Sequence, residues 1–356
     1  MRPPMSDTVS RTALGVLVFA FVVAAGCSRE PAPVKPYLGM KPPGAKAVVF
    51  APGTVSTGMS ERDIAITPFG QEIYWGVSTP GNGYATVVMS RQTRTGWSPA
   101  RVASNMADPG ELHIEPAISP DGRQMFFAVV RPDAAGSFGD SDIWVMVRSK
   151  TGWEKPRRLD EAVNTDGGEF FPSPTRSGAL YFTREPKDGQ NPGIYRSRLV
   201  DGKYQPAERL PVQVNGGQAR FNAFADRDER YLIVPMQGRD DSLGGVDYYV
   251  VFRNEDDTWT EPVNLGAGVN TPGSQEYSPC VSPDGKYFFF MSSRRDAPPP
   301  ARLTYKFFTD AAGGPRNGNT DIWWIDASFI EKLRPAAAQG ERMIVLTVDP
   351  PQSRHK

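Results

Sequence analysis

The hydrophobic positions of this chain fall in short runs with a polar turn at each end, without the three-and-four spacing of helices. The clearest run is Ile114 to Val130, IEPAISPDGRQMFFAVV, and it recurs from Tyr277 to Ser293 as YSPCVSPDGKYFFFMSS. Each copy reads strand, four-residue turn, strand. In the turn, proline presets φ at about −65°, Asp bonds back to the backbone and Gly accepts a positive φ. The flanks are β-branched and aromatic, which suits a pleated surface. Met125–Val130 and Tyr287–Met291 are apolar at successive positions, so both faces of these strands are expected to be covered.

Weaker copies of the unit lie before and between these two, at a period of about 50 residues. Unit 1 takes strands at Asp63–Thr67, Ile73–Val77, Tyr84–Ser90 and Trp97–Ala103. Unit 2 takes Ile114–Ser119, Met125–Val130, Asp142–Arg148 and Trp153–Leu159. Unit 3 takes Phe170–Thr175, Ala179–Arg184, Gly193–Leu199 and Tyr204–Leu210. Unit 4 takes Phe221–Ala225, Tyr231–Met236, Asp247–Arg253 and Trp259–Leu265. Unit 5 has Tyr277–Ser282, Tyr287–Ser292 and Asp321–Asp326, and lacks a fourth strand.

Other positions keep the same register. An aspartate opens the third strand at Asp142, Asp247 and Asp321, where it fits a strand-start hydrogen-bonder. An aromatic enters the fourth strand at Trp97, Trp153, Tyr204 and Trp259, placed to pack between units. A proline follows it, which suits an outer edge strand. Val163-Asn164-Thr165, Val214-Asn215-Gly216 and Val269-Asn270-Thr271 come next. The stretch Val48 to Thr57 resembles Leu265 to Thr271, and it is predicted to pair with Asp321–Asp326 and close unit 5 into a ring. The expected fold is an all-β propeller of four-stranded blades, five in number, its last blade completed by the N-terminal strand. Six blades is the second possibility, if Met343–Val348 and part of the N-terminus build another.

The Ser-Pro-Asp-Gly turns resemble the WD-like propeller repeats of TolB-type periplasmic proteins, over roughly residues 46–330. Units 2 and 5 match well. Thr67-Pro68-Phe69-Gly70 and Thr175-Arg176-Ser177-Gly178 match less well, and Asp226-Arg227-Asp228-Glu229 departs from the motif. The resemblance implies a fold that many functions share, and no residue here carries over the partner binding of TolB.

Ahead of the domain, Arg2 and Arg11 precede an apolar run from Thr12 to Ala25, and Ala24-Ala25-Gly26 leads into Cys27. This is the layout of an export signal, with an apolar core short for a membrane span. Cys27 after small residues resembles the lipobox of bacterial lipoproteins, which implies diacylation of its thiol and cleavage before it. Ala24 stands where leucine is commoner. Ser28 resembles the sorting residue of lipoproteins sent to the outer membrane, which would face the protein to the periplasm in a cell with two membranes. The organisation expected is thus a signal at 1–26, a proline-rich tether at 27–45, the propeller at 46–333 and a partly disordered tail at 334–356.

The chain has 40 basic and 40 acidic side chains, so it lacks the basic bias of a nucleic-acid binder. Two cysteines are present; Cys27 belongs to the lipobox and Cys280 sits among apolar residues, as a free thiol would. Inner strands line a propeller's channel. Aligning on Pro116, Pro172 and Pro279 puts Glu61, His113, Glu169, Arg220 and Glu276 in one ring, and Asp63, Glu115, Phe171, Asn222 and Ser278 in another. Period-two alternation places both rings on one strand face. The candidate ligand-binding residues are therefore Glu61, Asp63, His113, Glu115, Glu169, Arg220, Asn222 and Glu276. Converging carboxylates would suit a ligand, a hard cation or glycoside hydrolysis. Alternatively they line a water-filled channel as Glu–Arg pairs. His113 is the domain's one histidine, which excludes a zinc site built from several histidines and cysteines. No metal, cofactor or catalytic residue is assigned. The other candidate is the loop from Ser293 to Thr320, with Arg294-Arg295, three prolines and Tyr305-Lys306-Phe307-Phe308. The expected function is non-catalytic binding of an envelope protein, peptide or glycan by a lipid-anchored monomer, with a carbohydrate-active hydrolase using the channel carboxylates as the alternative.

Overall fold

The computed structural model describes residues 35–132, 138–295 and 300–336. The expected export signal, Cys27, the first part of the tether, Met343–Val348 and most of the tail lie outside the described residues. Five antiparallel sheets follow one another along the chain, each running from an inner strand outward. The first blade pairs Ser60–Ile66 with Glu72–Ser78 and then Ala85–Thr93. The last pairs Glu276–Val281, Tyr287–Ser292, Asp321–Asp326 and finally Val48–Val49. The N-terminal strand therefore closes the last blade, in the register Val48↔Trp324 and Val49↔Trp323. Five blades form among the described residues. The fourth strands are shorter than their sequence suggests, two-residue ladders such as Arg157–Arg158 and Val263–Asn264, because the preceding proline cannot donate to a ladder.

The hairpin turns follow their chemistry. Ser119 Oγ accepts the Gln124 N–H and donates to Asp121, which also accepts the Arg123 N–H at 3.0 Å. Ser282, Asp284 and Lys286 repeat this, and Gly122 and Gly285 sit at φ of 72° and 73°.

The core is distributed over the seams between blades. Phe126 packs toward blade 3, while Met125, Phe127 and Val129 pack toward blade 1. Phe288 and Phe290 face blade 4, and Phe289 faces blade 1. The two-sided apolar strands are thus covered on both faces, and each seam gains the burial a single sheet cannot supply. The aromatic at the fourth strand joins the seam with the preceding blade: Trp153 Nε1 donates to Tyr74 and Trp259 is buried beside Tyr181 and Tyr249.

A Val-Asn pair, followed by Thr after blades 2 and 4 and by Gly216 after blade 3, ends these blades as a staple. The Asn164 carboxamide accepts the Ile143 N–H and donates to the Ile143 and Leu159 carbonyls, and Asn215 and Asn270 engage Ile194 and Tyr248 alike. Val163, Val214 and Val269 plug the seam beneath. Across the ring closure, Val55 is the plug and Ser56 is the staple, exchanging hydrogen bonds with Ile322.

Candidate functional site

The two rings of candidate residues part company in the structure. Each inner strand carries a bulge in which the register against the second strand slips by one residue. At that point Asp63, Glu115, Phe171, Asn222 and Ser278 adopt left-handed conformations, with φ of 57°, 59°, 52°, 52° and 62°. Left-handed backbone is uncommon for residues other than glycine. The residue that follows is out of the ladder, so Pro116, Pro172 and Pro279 cost no hydrogen bond there. The bulge breaks the alternation that was to place both rings on one face.

The first ring is not a convergent site. Glu61 accepts the Thr57 N–H and hydroxyl. Glu169 accepts the same two groups of Thr165, at 2.9 and 2.6 Å, and the Arg184 Nε at 2.7 Å. Glu276 accepts both from Thr271, and also from Ser274 and Arg294. Each carboxylate therefore ties down the loop that enters its blade, beginning at the threonine of the staple or its counterpart. His113 and Arg220 occupy the blades where Pro109 and Gly216 replace that threonine. His113 Nε2 lies 3.3 Å from Glu111, and Arg220 donates to the Gly217 carbonyl. Among the described residues, no hydrogen bond or ion pair joins one member of this ring to another. Burial pushes the Glu61 carboxyl up to about 7, raises Glu169 and Glu276, and lowers His113 and Arg220.

The second ring does converge. Arg62 bridges Asp63 and Glu115. The other Glu115 oxygen accepts the Phe171 N–H at 2.6 Å, and Asn222 donates to Glu115 at 3.2 Å and to Ser278 at 3.4 Å. Ser278 in turn donates to Asp63. All five blades thus meet in one buried network on the axis, with Asn222 2% and Glu115 3% exposed. Burial raises the Glu115 carboxyl, and Arg62 opposes that rise. Below the network a funnel of about 80 Å³ opens toward the turns, walled by Ile66, Pro172, Pro279 and Cys280 among others. Ligand pockets usually run to about 300–1,000 Å³. Cys280 is free and half-buried on this wall, where burial pushes its thiol up to about 12. Sequence reasoning missed Arg62, which lies between Glu61 and Asp63 and so falls outside both rings drawn by period-two counting.

The Asp142, Asp247 and Asp321 carboxylates close local structure: Asp247 accepts the Leu243 N–H at 2.6 Å, Asp142 pairs with Arg158, and Asp321 accepts the Arg316 N–H. The loop before Asp321 holds a helix, α1, Tyr305–Ala312. Thr304 caps it by accepting the Phe307 N–H at 3.1 Å, and Gly313 follows its end. The Thr304 cap and the Gly313-Gly314 stop were its readable signals. None of its residues is buried; Tyr305 is 85% and Phe308 55% exposed, with Leu303 beside them at 62%. The helix is fixed at its far end, where Asn317 and Asn319 donate to the Gly58 carbonyl. A Cβ on Gly58 would lie 2.1 Å from the Ala312 carbonyl oxygen, so this approach requires glycine. Beside Met59, an open groove of about 260 Å³ runs past Tyr84, Val102 and Met106.

No family model matches the chain, and no curated protein matches it. Among solved structures it is similar to TolB from Acinetobacter baumannii at 16% identity and a TM-score of 0.42, over 76% of this chain and 57% of that one. It is similar to a GH43 endo-arabinanase from Bacillus licheniformis at 14% identity and a TM-score of 0.46, over 74% and 93% of the two chains. A TolB from Agrobacterium tumefaciens gives 16% and 0.42, over 75% and 90%. These likenesses are distant, and the five-bladed layout rests on this chain's own strand pairing.

Proposed function

We propose that this propeller is a non-catalytic binding protein of the cell envelope, held to the membrane by a lipid on Cys27, that receives an envelope protein on α1. The chain would be exported, act as a monomer and, in a cell with two membranes, face the periplasm from the outer membrane. The observation that carries the reading is a helix that contributes nothing to the core yet is capped and pinned, and that holds Leu303, Tyr305 and Phe308 in solvent. Interface anchors are commonly aromatic side chains of this kind. The groove beside Met59 and Tyr84 extends the same end of the molecule. A glycan is the less favoured ligand, because the patch is apolar and poor in donors.

Hydrolysis by Glu61, Glu169 and Glu276 has less support. Each of these carboxylates is occupied by its own loop, and Asp63 and Glu115 share Arg62 above a funnel too small for a sugar ring. The test is capture from envelope extract by the chain beginning at Ser28, compared with Tyr305→Ala/Phe308→Ala and with Glu115→Gln. A specific protein kept by Glu115→Gln and reduced at least tenfold by the helix variant is the expected result. Undiminished capture by the helix variant would refute the docking site, and a glycan lost with Glu115→Gln would move function to the axis. Lipid attachment is read separately: Cys27→Ser in the full chain should abolish acyl labelling and release the protein from membranes.

A further inference from the structure

The turn of blade 1 departs from its counterparts by carrying Phe69 at the tip, where blades 2 and 5 carry Asp121 and Asp284, and Phe69 is 86% exposed. It stands at the edge of an open groove of about 560 Å³ between blades 1 and 2, lined also by Gln71, Arg91, Arg123 and Arg148. The four turn segments around it, residues 69–72, 91–94, 121–123 and 148–151, hold Arg91, Arg94, Arg123, Arg148 and Lys150 against Glu72 and Asp121, five cations to two anions. Arg148 is spoken for by Glu72 and lies over the Trp153 ring. Arg91, Arg94 and Lys150 are exposed and make no ion pair among the described residues, and Arg123 is 83% exposed with Asp121 only at 3.9 Å.

The same end of blade 4 is of opposite sign. Residues 226–230 and 253–258 hold Arg227, Arg230 and Arg253 against Asp226, Asp228, Glu229, Glu255, Asp256 and Asp257, three cations to six anions. Arginines of the adjoining blade 3 answer these anions, Arg176 pairing with Asp228 and both Arg196 and Arg198 with Asp257, whereas the cations beside Phe69 outnumber the anions there. The described chain begins on the basic side: Trp97 of blade 1 donates its indole N–H to the Lys35 carbonyl at 3.0 Å. From Cys27 to Lys35 there are eight peptide steps, a reach of at most about 29 Å. A lipid on Cys27 would keep this side of the molecule within reach of the headgroups.

We propose that the Phe69 patch is a second membrane contact, in which Arg91, Arg94, Arg123 and Lys150 meet anionic phospholipid headgroups and Phe69 enters the interface. A diacylated cysteine already holds a protein to the membrane, and a basic patch adds an orientation, because each cation near an anionic surface gains about 1 kcal/mol. The orientation that results leaves α1, at the other end of the blades, facing away from the lipid. The proposal rests on the anchor reading for the nearness of the membrane, and its test does not use the anchor.

The experiment is co-sedimentation of the unacylated chain from Ser28 with vesicles of phosphatidylcholine alone or with phosphatidylglycerol. That chain keeps every core residue, since the seams are built from Tyr37 onward. Binding is expected on the anionic vesicles only, weakening as salt is raised. Each arginine or lysine replaced by alanine should reduce partitioning about fivefold, which corresponds to about 1 kcal/mol per cation near the surface. Phe69→Ser should weaken binding further and make the remainder more salt-sensitive. Inorganic phosphate should not compete at moderate concentration, because the contact is with a surface. Equal partitioning to neutral and anionic vesicles, no binding at low salt, unchanged binding by a folded quadruple variant, or preferential binding to a single-stranded oligonucleotide would each overturn the proposal. Failure here with Cys27 still acylated would leave the anchor standing, and loss of acylation with vesicle binding intact would do the reverse.

Discussion

Glu169 and Phe171 stand two residues apart on one strand, yet they belong to different parts of the molecule. Glu169 ends in the loop between blades, tied to Thr165 and Arg184. Phe171 lies on the axis, giving its N–H to Glu115 of the preceding blade. The same divergence separates Glu61 from Asp63 and Glu276 from Ser278. What divides them is one left-handed residue per strand. Such a backbone costs on the order of 1–2 kcal/mol for a residue with a Cβ. Its recurrence in every blade makes it part of the architecture: the bulge turns the inner strands so that Asp63, Glu115, Asn222 and Ser278, with the Phe171 N–H, seal the axis.

The comparison yields its largest effect at the outer member. Glu169→Ala strips the acceptor from a backbone N–H, a hydroxyl and Arg184, and should cost about 3 kcal/mol in urea unfolding. Because Thr165 has no other carboxylate to serve, Thr165→Ala/Glu169→Ala should cost less than the sum of its parts, by about 1 kcal/mol. Full additivity would sever the link between threonine and glutamate.

A smaller effect is expected at the inner member. Ser278→Val places a β-branched side chain at φ 62° and removes the donor to Asp63. Its expected cost is about 2 kcal/mol, with Ser278→Gly losing less because glycine accepts that backbone. Equal losses for the two would show that the hydrogen bond, and not the backbone, dominates there.

The smallest effect is in pH. Glu61, Glu115, Glu169 and Glu276 all have carboxyls raised by burial, Glu61 to about 7. In the window between about 4.5 and 7 the folded chain holds protons that the unfolded chain has released, so stability falls as pH rises. The melting temperature should be a few degrees higher at about pH 5.5 than at about pH 8, at roughly 2–4 °C per kcal/mol for a domain of this size. His113, lowered by burial, opposes this trend below about pH 6.5 as one site against four, and Asp257, held low by its hydrogen bonds with Arg196, opposes it at stronger acid. A melting temperature that rises between those two conditions would contradict the assignment of buried, proton-retaining carboxylates.

Much of the fold could be read because its signals are local. Ser119-Pro120-Asp121-Gly122 names its own turn, Phe288 to Phe290 declares two covered faces, and the likeness of Val55-Ser56-Thr57 to Val269-Asn270-Thr271 betrayed the ring closure. The site was harder. Period-two counting assumes an unbroken strand, and a bulge leaves no composition of its own when Glu115 or Phe171 takes the left-handed position. The prolines after it were the available hint, and they were used only to align the copies. Glu61, Glu169 and Glu276 looked like a ring because they recur; their companions Thr57, Thr165 and Thr271 recur with them, and that pairing marked them as loop ties.

The clasp between the first and last strands also sets the order in which this protein is completed. Ser56 and Ile322 are 266 residues apart, and every blade must be synthesised before they meet. Closing so long a loop is entropically slow, which makes the clasp the natural last step of folding. Until then Val48, Val49 and Phe50 have no strand to join, and blade 5 has an open edge able to capture the same segment from a neighbouring chain. A chain cut short of Ile322 is left with both faults at once, so the joint that seals the ring is also a checkpoint on whether the chain is whole.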